Sequence, residues 1–208
     1  MSWSLSEAES LSRKAARGAG FSWGMAEEAG RAVRWLASVS LPGPEMLVAR
    51  LERGPCAAPE PNGEIWTAIS GPLCPIGAGV ALADRAATVA CGPALVLRGV
   101  ANPMLLVPFV AAAAAQTGTA LRMDCAGGSF IFGEHACGKM PPHAHPVDVR
   151  ISTGADPDKG LPRLICQQRY QMPRSTEAVL LAYAHRTYAP DTEASRLSGA
   201  GAGLSDSD

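Results

Sequence analysis

The chain has 208 residues, 47% of them hydrophobic and 18% charged, with a formal net charge of −1. That composition is too apolar for a disordered chain, too charged for a bilayer protein, and supplies no global field to attract nucleic acid or an anionic membrane. Residues 1–53 hold seven Lys/Arg against six Asp/Glu, so no basic half is hidden by the average.

Ser4-Leu5-Ser6-Glu7 has the spacing of a capping box, and the helix it opens lines up Leu5, Ala8, Leu11, Ala15 and Ala16. A second helix is expected over 24–39 with Ser22 as N-cap, and a third over 44–53, with Pro44 near its start and Gly54 after its end. The Pro/Gly-rich stretch GPCAAPEPNGE (54–64) has no apolar period and reads as the connection to the rest of the chain. Beyond it, 65–69 reads as a strand, SGPLCPIGAG (70–79) as a loop, 80–90 as helix or strand, and 94–100 as a strand. Pro108 fits the first position of a helix over 108–117 that Gly118 ends. Strands are expected over 119–124, 129–132, 147–152 and 161–171, and a last helix over 175–186 with Ser175 as cap.

Strand, helix and strand over 94–124 fit a βαβ crossover, whereas the short pieces after it favour antiparallel pairing. The expected class is therefore α+β, with a three-helix segment on a mixed or antiparallel sheet and two further helices; α/β is the alternative. One domain spans 1–198, with a helical part over 1–53 and a sheet-containing core over 64–190. The tail 199–208 is Gly-rich and acidic.

Arg outnumbers Lys by 15 to 3 and Ala, Gly and Pro are abundant, the bias of a GC-rich bacterial genome. The N-terminal segment lacks the apolar core of a signal peptide, and the longest apolar run, 104–115, is too short to span a bilayer. The cytoplasm is the expected compartment, with no membrane or nucleic-acid partner and with the six cysteines as free thiols.

Two groups of residues carry potential chemistry. His135, Cys137, His143 and His145 crowd three of the four histidines and a cysteine into eleven residues, the donor types of zinc or another divalent metal. The alternative is a surface segment in which these residues simply occur. Cys74, with Asp84 ten residues on, lies in a Gly/Pro loop ahead of a helix start, where a thiolate can be stabilised; the alternative is a small apolar contact in a tight turn. Neither the 71–79 glycines nor the GAGAG of 199–203 is a P-loop or a dinucleotide fingerprint. The charged face of the second helix (Glu27, Glu28, Arg31, Arg34) reads as solvated ion pairs.

GAGFSWGMAEEAGRAVRWL (18–36), SGPLCPIGAG (70–79) and RTYAPDTEASRLSGAGAGLSD (186–206) together resemble segments of a family of uncharacterised proteobacterial proteins, over nearly the whole chain. The resemblance implies a stand-alone bacterial protein carrying a domain of unknown function and transfers no functional residue.

The functional expectation is an enzyme or enzyme subunit acting on a small polar metabolite, its site drawn from 70–79 and 134–145. The rival is an accessory protein that docks a partner or a second copy of itself through its helices and tail. A homodimer suits either.

Overall fold

The computed structural model describes residues 2–142, 145–154 and 160–188. The expected tail at 199–208 lies outside the described residues, as does His143. The class is α+β.

A short strand, β1 (Ser2–Ser4), leads directly into helix α1 (Leu5–Gly18). The capping box forms in both directions: Glu7 N–H donates to Ser4 Oγ at 3.2 Å, and Ser4 N–H donates to Glu7 Oε2 at 2.8 Å. Helix α2 (Trp23–Ser38) is capped by Ser22, whose Oγ accepts from Met25 N–H. Small residues let α1 and α2 approach closely. A Cβ at Gly30 would lie 3.0 Å from the Glu9 carbonyl oxygen. Helix α3 (Gly43–Glu52) follows.

The Pro-rich stretch 54–64 is more than a connection, because it contains β2 (Pro59–Asn62), the edge strand of the main sheet, paired antiparallel with β3 (Ile65–Ala68). Proline is tolerated at an edge, where its missing N–H costs no ladder bond. The supposed loop 70–79 is likewise half helix: α4 (Pro75–Asp84) starts one residue after Cys74 and is followed by α5 (Ala86–Cys91). Strand β4 (Leu95–Val100) runs parallel to β3, so the direct βαβ crossover spans β3 to β4.

A 3₁₀ turn over Pro103–Leu106 enters α6 (Val107–Thr117), with Pro108 in its first turn. It ends at Gly118, whose φ of 65° is the left-handed conformation that stops a helix. Three strands come next, β5 (Leu121–Cys125), β6 (Gly128–Phe132) and β7 (Ala136–Lys139), and then β8 (Val147–Thr153). The seven-stranded order is β2-β3-β4-β8-β5-β6-β7. Strand β8 inserts between β4 and β5, antiparallel to both, which makes β4–α6–β5 a split crossover in place of the expected direct one.

Of the strand expected over 161–171 only β9 (Arg169–Gln171) forms, paired with β1 in a separate two-stranded sheet. Helix α7 (Arg174–His185) is preceded by Pro173 and receives no cap from Ser175. It packs against α1, and α6 packs on β5 and β6. One buried cluster runs from Ala8 to Ala184 through helices and sheet. The residues of β8 alternate, with Val149 and Ile151 fully buried and Asp148 and Arg150 exposed, so one sheet face is covered and the other carries charge. Among the described residues no helix is long and apolar enough to cross a membrane.

Candidate functional site

Arg50 lies in the last turn of α3, in register with the helix's buried face. That face is formed by Gly43, Pro44, Leu47, Arg50 and Leu51, and the guanidinium occupies a position that helical spacing reserves for an apolar side chain. Arg50 is only 5% exposed. Nη1 donates to the Gly54 carbonyl at 2.9 Å and Nη2 faces Cys74 Sγ at 3.8 Å, while Nε has no hydrogen-bond partner among the described residues. The guanidinium carbon sits 5.4 Å from the centroid of the Phe21 ring. Among the described residues no carboxylate lies within ion-pair distance of it. A buried cation without an anion is costly, and the carbonyl, the sulfur and the ring face offset only part of that cost.

Helix α3 is held at both ends. Tyr170 of β9 donates its hydroxyl to Glu45 in the first turn at 2.7 Å, and burial together with that carboxylate pushes the phenol well above its usual range. Arg53, the residue after the helix, donates from Nε to the Asn102 side chain at 3.3 Å. Asn102 is itself buried, with a left-handed φ of 50°.

Cys74 is fixed from the backbone. Its N–H donates to the Ala57 carbonyl at 2.8 Å, and the neighbouring Leu73 is bridged both to Ala57 and to Val100 at the end of β4. The residue takes an extended conformation and is the N-cap of α4, with Pro75 at the first helical position. Cys56 is carried alongside by the same bridge. Burial pushes its thiol up, and the Arg50 guanidinium opposes that shift.

These groups meet at a cavity of about 670 Å³ between the α1–α2 turn, the end of α3, the 54–59 segment and one face of α4. Arg50, Leu51 and Cys74 form its buried floor; Phe21, Met25, Val80 and Ala81 line its walls; Asp84 and Arg85 stand exposed at its mouth. Cys74 and Asp84 therefore share one cavity. They are not a contacting pair, because ten residues of helix separate them by ~15 Å.

The described members of the second group, His135, Cys137 and His145, do not come together in the same way. His135 is exposed, with Nδ1 3.2 Å from the guanidinium of Arg163. Cys137 lies within β7, opposite Ile131, and His145 is exposed. Among the described residues no three His, Cys, Asp or Glu side chains come together as a metal site. His135 and Cys137 also stand apart from the residues that line the cavity.

Arg50 is the residue that the sequence reading missed. The signal was present: Leu47, Arg50 and Leu51 share one face of a short helix, and a charge on a core stripe marks a buried ionisable group.

No curated protein and no solved structure matches the chain. The matched residues of the family found include two of the three segments behind the resemblance, 18–36 and 70–79, and stop short of 186–206. They also include every residue that lines the cavity, from Ala19 to Arg85. Residues 3–90 of this chain match a family described as a protein of unknown function (DUF3726).

Proposed function

We propose that the protein is a cytoplasmic enzyme, or an enzyme subunit, that acts on a small metabolite bound in the cavity between α3 and α4. The observation that carries this reading is the convergence of Arg50, Cys74 and Asp84 on one apolar-walled cavity of small-molecule size. The polar groups stand at its floor and its mouth, an arrangement that orients a ligand along α4. In this reading Cys74 is the candidate nucleophile on the floor and Asp84 a polar contact at the entrance. The family match supports it, since the matched residues contain the whole cavity wall. The exposed faces of α1 and α2 carry ion pairs such as Arg34–Glu9 and Arg31–Glu28, and their exposed Trp23 lies under the Arg17 guanidinium, which weighs against the docking alternative.

Amide chemical-shift mapping with a set of small acids, alcohols and amines tests the proposal. The expected result is a cluster of perturbations on Phe21, Gly77, Val80 and Ala81, abolished by the cavity-filling substitution Val80→Trp. Perturbations confined to the outer faces of α1 and α2, or none with any compound, would overturn it.

A further inference from the structure

We infer that the ligand of this cavity is an amphiphilic monocarboxylate whose carboxyl group is anchored on the floor by Arg50, an inference that rests on the cavity being the ligand site. Arg50 is 5% exposed, lines the cavity, and has no carboxylate partner among the described residues. A guanidinium in a low-dielectric wall attracts an anion far more strongly than one in water. Its planar fork suits a carboxylate, and its contacts among the described residues leave that fork incompletely used: a carbonyl on Nη1, a distant sulfur on Nη2 and nothing on Nε.

The charge balance selects a monoanion. One buried positive charge neutralises one negative charge, whereas a dianion such as phosphate would leave a surplus charge among apolar walls. Those walls (Phe21, Met25, Val80 and Ala81) select an apolar body. The polar pair at the mouth, Asp84 and Arg85, accommodates a second polar group at the far end of the molecule. Cys74 Sγ, next to the same guanidinium, is then adjacent to the carboxyl end of the ligand and remote from its tail.

Calorimetric titration of the full chain at about pH 8.5, where inorganic phosphate is a dianion and hexylammonium keeps its charge, with hexanoate, hexanamide, hexylammonium and phosphate tests this assignment. Hexanoate is expected to bind about tenfold or more tighter than hexanamide, the size of a hydrogen bond to a charged group. Hexylammonium and phosphate are expected not to bind. Arg50→Met should remove the preference for hexanoate over hexanamide while leaving hexanamide unchanged, and Arg50→Lys should restore part of it. Val80→Trp, which leaves Arg50 in place, should abolish both ligands and serves as the control if Arg50→Met fails to fold. Equal affinities for hexanoate and hexanamide would overturn the carboxylate assignment and leave the cavity as a ligand site. Tighter binding of phosphate than of hexanoate would overturn the monoanion. Binding of none of the four would overturn both the assignment and the site.

Discussion

The Arg50 guanidinium and the Cys74 sulfur lie 3.8 Å apart on the floor of one cavity, although one lies in the last turn of α3, the other caps α4, and a Pro-rich strand lies between them in sequence. Nothing local brings them together. The end of α3 is tied by Arg53 to Asn102, and the start of α4 is tied through Leu73 to the end of β4, so both residues are registered against the same β4–α6 connection.

A buried arginine kept for a ligand contributes little to the fold. Replacing such a cation with an apolar side chain of similar length removes a desolvation penalty and costs one bond to the Gly54 carbonyl. Arg50→Met is therefore expected to unfold in urea within about 1 kcal/mol of the parent protein. A loss of about 3 kcal/mol or more would show that Arg50 is a structural cap of α3 and not a reserved ligand contact.

Two glycines of α4 respond in opposite directions to the same substitution. A Cβ at Gly77 meets nothing closer than 3.5 Å, whereas at Gly79 it would fall 2.2 Å from the Phe109 ring of α6. Gly77→Ala should stabilise by about 0.5–1 kcal/mol through helix propensity, while Gly79→Ala should destabilise by about 1–3 kcal/mol through overpacking. Chemical denaturation of both variants checks the pair. Equal effects would mean that α4 and α6 do not pack through Gly79.

Asp148 in β8 receives the Gly99 N–H at 2.9 Å and the Arg98 guanidinium, and these bonds hold its carboxyl below the usual range. They clamp the irregular end of β4, where Gly99 takes a φ of 61°. A carboxyl depressed in the folded state contributes stability above its unfolded pKa, and the contribution is lost as pH falls through the folded value. Asp148→Asn should therefore cost about 0.5 kcal/mol at pH 7, a small value because the pair is half exposed, and the deficit should vanish well below pH ~4. Denaturation midpoints at the two pH values decide it, and a deficit that persists in acid would contradict the assignment.

The thiols should separate by reactivity. Burial, reinforced by Asp124, pushes the Cys125 thiol up to about 11, whereas Cys91 and Cys166 are exposed. At pH 8 iodoacetamide should label Cys91 and Cys166 first and Cys125 on the order of a hundredfold more slowly, as read by peptide mass spectrometry. Comparable rates would mean that β5 opens readily.

Much of the helical part was legible because its signals are local. The capping box at Ser4 and Glu7, the Ser22 cap, and Pro108 with Gly118 around α6 each formed where the residues put them. The alternation of β8 was equally plain. The misreadings came where pairing across the chain decides the outcome. β2 is a strand because an edge position excuses Pro59 and Pro61, and most of 161–171 is not a strand because few residues there find a partner. Part of the candidate site is legible: Cys74 and Asp84 line one cavity, whereas Arg50, a single basic residue in the last turn of a short helix, carries no motif that singles it out from a residue that merely suits the dipole. The His135–His145 segment stands out by composition alone, and among its described residues, which exclude His143, no metal-binding group forms.

A crystal structure of the protein with hexanoate tests the central claim most directly. It should show the carboxylate within hydrogen-bond distance of the Arg50 guanidinium, with the alkyl chain running along α4 past Val80 and Ala81 toward Asp84. Hexanoate bound elsewhere with the cavity vacant, or bound there with its carboxylate at the mouth and remote from Arg50, would contradict it.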